Sequence, residues 1–372
     1  MNIIIAGDFC PMSQTAKLLN SRDFSSVLGE VRPIIKGADF SIVNFECSVT
    51  KGSETPIEKV GPNLHCSEKG VEALKWAGFD AVTLANNHIL DFGDDGVANT
   101  LSVCRANGIE TVGAGMNLEE ASQILYKKIG KMILAVINCC EYEFNIASEN
   151  SAGANPLNVV KQCHAIQEAR KKADYVVVIV HGGHECFHLP SLRMKETYRF
   201  FVEVGADVVV NHHQHCYSGY EVFKGKPIFY GLGNFCFEKR KKLSKAWYEG
   251  YMVKIDLEKE ITFDILPYEQ CYGKSAVIPL EKGAFSQQLE KLNSIIADDS
   301  QLKREVERNY ESVAFMYKSI FEPIMNKYFG EIQRRGWLPS IVTKKRKLKA
   351  TNYIRCESHR DRLVHYLLKR GK

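Results

Sequence analysis

An α/β fold is the class this sequence predicts, on three observations. Short apolar runs of strand length alternate with helical patterns through the first two-thirds of the 372 residues, the order that builds sheets flanked by helices. Six of those runs stop in a polar or histidine-bearing segment: Asp8, Glu46, Asn87-His88, His181, His213-His215 and Asn234. Glycines flank several of these ends, where sharp turns and close backbone approach require them.

In chain order, residues 2–6 read as a strand ending in Gly7-Asp8, and 40–45 as a strand leading to Glu46. Residues 68–77 are helical, and 81–85 form a strand ending in Asn86-Asn87-His88. A helix over 93–107 precedes a hairpin, 124–129 and 132–138, turned at Gly130. A helix over 160–172 leads to the very apolar strand 175–180, which ends in His181-Gly182-Gly183-His184-Glu185. The helix 193–204 feeds a buried strand at Val208-Val209-Val210. Residues 227–230 make another strand, ending in Gly231-Leu232-Gly233-Asn234. Residues 248–256 and 261–267 alternate apolar and polar positions, as an antiparallel pair does. After about Pro279 the pattern becomes helical, over 285–297 and 301–329, and then basic from Arg334 to Lys349. The domain expectation is therefore a main domain over 1–279 and a basic helical C-terminal extension over 280–372.

Apolar content of 45% and charged content of 25% are those of a soluble globular chain. No apolar stretch approaches the roughly 20 residues of a membrane span, and MNIIIAGDF lacks the basic start of a secretory signal. Twelve cysteines without a C-x-x-C motif suggest reduced thiols in a cytoplasmic protein. The net charge of +5 is mild and no nucleic-acid motif accompanies the basic tail, so no nucleic-acid partner is expected.

The chemistry concentrates where strands end. Asp8, Glu46, Asn87, His181, His213 and His215 offer oxygens and imidazoles, a mixture suited to Mn²⁺, Zn²⁺ or Fe²⁺ at one or two adjacent positions. His213 and His215 form an H-x-H pair, and on an extended backbone residues i and i+2 project to one side. By the same alternation His212 is expected to face away. Glu46 is the candidate to bridge two cations, which together activate water and clamp the oxygens of a phosphoester. His88 follows Asn87 directly and is expected to point into the pocket as a general acid or oxyanion donor. Asp91 either positions His88 or caps the helix near Gly93. His184 and Glu185 are expected to contact substrate, or Glu185 to orient a ligand imidazole. The run Lys239-Arg240-Lys241-Lys242 either attracts an anionic substrate or is a solvated loop.

The segments AGDF, NFE, LANNHILDFGDDG, HGGHE, HHQH and YGLGNFCF, in this order, resemble the bacterial CapA family, named for poly-γ-glutamate capsule synthesis. That family belongs to the calcineurin-like metallophosphoesterase superfamily. The resemblance covers roughly residues 1–240. It implies a four-layer α/β/β/α sandwich with a dinuclear metal site at its strand ends, liganded by Asp8, Glu46, Asn87, His181, His213 and His215, with His88 beside the reacting group. Three segments depart from the pattern. The superfamily's D-x-H reads Asp8-Phe9-Cys10, the family's H-W-G-x-E-Y reads His181 to Cys186, and its G-[SH]-H-P-H reads Asn211 to His215. The expected activity is metal-dependent hydrolysis, of phosphoesters or of an acyl-phosphate or γ-glutamyl polymer. The expected partners are an anionic polymer or phosphoester substrate and capsule-synthesis proteins. The alternative is a non-catalytic, metal-binding component of a polymer synthesis or export complex.

Overall fold

A computed structural model describes residues 1–239, 243–321 and 343–368. The strands assemble into two main sheets. In the first, the parallel strands Asn2–Phe9, Phe40–Phe45, Ala81–Thr83 and Glu110–Val112 lie side by side. The antiparallel strands Glu249–Asp256, Thr262–Gln270 and Val277–Pro279 extend it beyond Asn2–Phe9. In the second, Met132–Cys140, Tyr175–His181, Val208–His212 and Lys226–Phe229 run parallel. Antiparallel edges Leu125–Ile129 and Tyr220–Phe223 close it on either side.

Side-chain alternation sets the layers. Ile3, Ile5, Phe40 and Ile42 share a core with the second sheet. The intervening Ile4, Ala6 and Val43 share another with Leu19, Leu28 and Leu74 of the helices Ser13–Asn20, Phe24–Leu28 and Glu68–Ala77. Beyond the second sheet, Ile166, Ala169, Tyr198 and Phe201 of the helices Val159–Lys172 and Leu192–Glu203 complete its packing. The central strands Tyr175–His181 and Val208–His212 are buried throughout, which is why they read as unbroken valine-rich runs. The result is the four-layer α/β/β/α sandwich.

The hairpin expected at Gly130 forms with Ile129 opposite Met132, and the antiparallel pair expected near the end of the sheet domain forms over Glu249–Asp256 and Thr262–Gln270. Nothing in the sequence reading pointed to the helices Ser13–Asn20, Phe24–Leu28 and Arg32–Lys36, two of which are too short to show a helical period. Asn234–Cys236, read as the loop after a strand, instead pairs parallel with Asn2–Phe9, placing Asn234 opposite Asp8. The register slips at Gly7. A Cβ there would sit 2.0 Å from the Gly233 carbonyl oxygen, while the Asp8 N–H donates to that same oxygen at 3.1 Å. Only glycine lets Asp8 approach the neighbouring loop so closely.

The C-terminal helices Lys282–Ala297 and Asp299–Phe321 pack Phe285, Leu289, Ile296, Leu302, Val306 and Tyr310 into the main core. The expected helix over 301–329 is present to Phe321; its remainder lies outside the described residues, as do Arg334 and Arg335. Two more helices, Lys344–Arg355 and Glu357–Leu368, follow. All twelve cysteines are free thiols, most of them buried. Among the described residues no helix is long and apolar enough to cross a membrane.

Candidate metal centre

The carboxyl ends of the two sheets meet around Glu46, whose carboxylate is fully buried and whose two oxygens have no hydrogen-bond partner among the described residues. An unsatisfied buried carboxylate is costly unless something compensates it. Its Oε1 lies 3.6 Å from His181 Nε2, 3.7 Å from His215 Nε2 and 4.0 Å from His88 Nε2. His181 Nε2 in turn lies 3.0 Å from Asn87 Oδ1 and 3.1 Å from His213 Nδ1. Two cradles share Glu46: one of Glu46, His181 and His213, with Asn87 alongside, and one of Asp8, Glu46 and His215. This donor set, acidic oxygens and imidazoles in a buried site, fits a divalent cation.

Neighbouring groups aim the donors. Asn44 Nδ2 donates to Asp8 Oδ1 at 2.8 Å and lies 3.2 Å from His181 Nδ1. Asn234 Nδ2 donates to the carbonyls of His215 and Trp247, so its Oδ1 is the acceptor facing His215 Nδ1 at 2.9 Å. That bond leaves the His215 Nε2 lone pair toward Glu46. The ring of His215 packs against Phe237 and Trp247.

The H-x-H pair converges by a different route from the one expected. The strand ends at His212, and His213 and His215 both sit at positive φ, 92° and 57°. The imidazoles are brought together by a turn through sparsely populated backbone, a strain that persists only where the surroundings enforce it, and not by extended alternation. The same turn overturns the expectation for His212. Its Nδ1 lies 3.2 Å from Asp8 Oδ1 instead of facing away.

Electrostatics follow from burial. Burial, then the charge of Asp8, pushes Glu46 well above the usual carboxylate range. Burial alone would raise Asp8 too, but His212, His215 and Asn44 outweigh it and hold Asp8 below its ordinary value. Burial and the crowd of neighbouring imidazoles hold His181 well below the usual histidine range. Burial likewise lowers His215, so His181 and His215 favour the neutral forms that donate lone pairs.

His88 and Asp91 pair through His88 Nδ1 and Asp91 Oδ2 at 2.6 Å, and the Asp91 carboxylate also accepts from the Leu64 N–H at 2.6 Å. Of the two roles left open for Asp91, positioning His88 is the one its contacts serve. Lys59, which the sequence reading missed, forms a buried ion pair with Asp91 and places Nζ 3.1 Å from His88 Nδ1. Burial lowers His88 to about 4, against a partial rise from Asp91. The folded value lies below the ordinary value of about 6.5 in an unfolded chain. Between roughly pH 6.5 and 4 the unfolded chain therefore takes up a proton that folded His88 refuses, and stability falls as pH drops through that window. His88 alone contributes on the order of 3 kcal/mol of that loss. Denaturant unfolding of chelator-treated protein at about neutral pH and at about pH 5 checks it; equal midpoints contradict a neutral buried His88.

The residues expected to touch substrate divide. Glu185 lines a cavity of about 520 Å3 over the centre, together with His88, His213 and Glu143. His184 does not face that cavity. It is 1% exposed, with Nε2 3.0 Å from the Tyr310 hydroxyl, and serves the packing of a C-terminal helix. Lys239 lies over the rings of Phe237 and Trp247, beside His215. Arg240, with Lys241 and Lys242, lies outside the described residues. The C-terminal helices roof the cavity with Lys349, His359 and Arg362, and the buried Arg362 Nε has no partner among the described residues. A larger recess of about 850 Å3, lined by Leu192, Arg199 and Phe223, contains none of the candidate residues.

A two-sheet sandwich with a buried carboxylate–histidine centre at its strand ends defines a metallophosphoesterase-like fold. The chain belongs to the bacterial capsule synthesis protein PGA_cap family, whose model matches residues 2–239. It is 30% identical over 303 residues to the capsule biosynthesis protein CapA of Bacillus anthracis, covering 78% of this chain and 73% of that protein. It is 29% identical over 286 residues to the PGA biosynthesis protein CapA of Bacillus subtilis strain 168, covering 76% and 74%. Among solved structures it is similar to a 5'-nucleotidase precursor from Thermus thermophilus, at 11% identity and a TM-score of 0.43, over 75% of this chain and 54% of that one.

Proposed function

We propose that this protein is a metal-dependent hydrolase of anionic substrates, phosphoesters or acyl-phosphate and γ-glutamyl linkages, serving capsular or poly-γ-glutamate synthesis. One observation carries the proposal: Glu46, buried and with both oxygens unpartnered among the described residues, belongs to both cradles, His181 and His213 on one side and Asp8 and His215 on the other. Asp8, Glu46 and His215 would hold one divalent cation, Mn²⁺, Zn²⁺ or Fe²⁺, and Glu46, Asn87, His181 and His213 a second. Bound there, the pair supplies Lewis acidity and lowers the pKa of water.

The chain's own side chains do the rest. Asp91 accepts the His88 Nδ1 proton, so His88 Nε2 presents a lone pair toward Glu46 and the cavity. Uncharged at neutral pH, this atom is placed to accept a proton from an attacking water and to hand it on to a leaving oxygen or nitrogen. Lys349 and Arg362 put positive charge in the cavity roof, where it attracts an anionic group. The enclosed volume suits a small molecule or a chain end better than the middle of a polymer.

The test is a substrate panel. Chelator-treated protein is reloaded with each metal and offered phosphomonoesters, phosphodiesters, acyl phosphates and γ-glutamyl oligomers. Turnover that disappears with chelator and returns with metal is expected. Full metal loading without turnover of any of them removes the hydrolase reading and leaves the metal-binding assembly component.

A further inference from the structure

Glu143, Cys356 and His359 form a separate group beside the main centre. A carboxylate oxygen, the thiol sulfur and a ring nitrogen of these three lie within 4.8 Å of one another. Glu143 sits in the segment after the strand Met132–Cys140, Cys356 ends the helix Lys344–Arg355, and His359 lies in the first turn of Glu357–Leu368. Cys356 is 1% exposed, and all three residues line the cavity. The two C-terminal members lie beyond the stretch that the capsule-family model matches.

Each member has other neighbours as well: the His359 ring lies 4.9 Å from that of Tyr353, and Glu143 faces His213. Cys356 Sγ donates a long bond, 3.6 Å, to Glu141 Oε2. Glu141 already has stronger partners in Arg193 at 2.7 Å and in the Ser358 N–H and hydroxyl at 3.1 and 2.6 Å. Arg193 pairs with Glu141, yet burial and then the charge of Glu141 still hold the Cys356 thiol up, so a cation bound there has to displace its proton. Arg362, the nearby cation in the roof, has its Nη2 drawn off to Asn309 Oδ1 at 2.9 Å.

We propose that Glu143, Cys356 and His359 hold a further divalent cation, of the zinc class, that fastens the C-terminal helices over the cavity. A thiolate, an imidazole and a carboxylate are a zinc donor set. Zinc bond lengths of about 2.0–2.3 Å put tetrahedral donors roughly 3.5 Å apart, so no pair of donors within 4.8 Å has to close by more than about 1.3 Å on binding. The Cys356 thiol proton passes to solvent as sulfur bonds the cation. Three protein donors leave a fourth position, and it opens into the cavity because all three line it. Glu143 Oε1 is also 3.9 Å from His213 Nε2, so this position adjoins the main centre while sharing no donor with it. The inference holds or fails independently of the hydrolase reading.

The test uses the full chain, stripped with chelator and titrated with Zn²⁺ and with Co²⁺. Wild-type protein is expected to bind one zinc more than Cys356→Ser, and its cobalt form to show a thiolate-to-cobalt charge-transfer band. Asp8→Asn should lose ions of the main centre yet keep that band, which separates the two sites. Cys356→Ser should lose it. His359→Ala, which keeps the thiol, provides a second variant should the serine form not fold, and is also expected to bind one zinc fewer. Unchanged zinc stoichiometry in the folded variants, or a cobalt band that survives Cys356→Ser, overturns the site.

Discussion

Replacing Glu46 by glutamine is expected to empty the main centre and abolish turnover while leaving the cation-free fold as stable as before. Glutamine keeps the shape and removes the charge. The charge is what both cradles share, since Oε1 lies within 4 Å of three imidazoles and no donor among the described residues reaches either oxygen. A cation held by Asp8 and His215 alone, or by His181, His213 and Asn87 alone, loses its only common anionic ligand. Lewis-acid assistance is worth several kcal/mol, so its loss lowers kcat by at least about 10³-fold at 1.4 kcal/mol per decade. Stability moves the other way from an ordinary active-site lesion. In the cation-free protein Glu46 is a buried acid whose ionised form is opposed by desolvation and by Asp8, so its neutral amide costs nothing comparable. The metal-dependent rise in melting temperature, which follows from preferential binding to the folded state, should vanish in the variant. Elemental analysis together with melts in chelator and in excess Mn²⁺ checks this. Wild-type metal content in Glu46→Gln would remove Glu46 from both positions.

Much of this cluster was legible because its candidate positions follow apolar strands. Asp8, Glu46, Asn87, His181, His213 and His215 stand at or just past strand ends, and strand ends of one sheet face are neighbours in space whatever their distance in sequence. What could not be read is whatever depends on turns or on docking. His212 was misplaced because alternation holds only while the backbone stays extended, and it reverses at the positive φ of His213. Lys59 comes from an irregular stretch with no period to interpret, yet tertiary folding buries its ammonium against Asp91. Asn44 looked like strand sequence, and only its register opposite Asp8 reveals it as an orienting group. The roof was the hardest part. Tyr310, Lys349 and Arg362 belong to helices whose pattern announces a helical face but not which surface it covers. His184 showed this directly: a histidine in a glycine-rich segment looked like a substrate contact, and the docked helix claims it instead.

Removing the His88 imidazole should separate binding from chemistry. His88 Nε2 is 4.0 Å from Glu46 Oε1, the longest of the three imidazole approaches, and His88 belongs to neither cradle. His88→Ala is therefore expected to retain full metal content. Its kcat should fall by about 10²–10⁴-fold, the usual contribution of a positioned proton-transfer group, with a smaller change in KM. The hydrogen bond to Asp91 supplies a second arm. With Asp91 ionised, the Nδ1 proton is held and the lone pair faces the cavity. Asp91→Asn offers an amide instead, which no longer selects that tautomer, and should impair kcat in the same direction with metal content intact. It also strands Lys59 without its ion-pair partner, so its stability should fall, whereas His88→Ala leaves the Lys59–Asp91 pair in place. Exogenous imidazole has access through the cavity that His88 lines and should restore part of the His88→Ala rate but none of the Glu46→Gln rate. Full activity in His88→Ala takes this residue out of the mechanism, and a drop in metal content matching the drop in rate makes it a ligand instead.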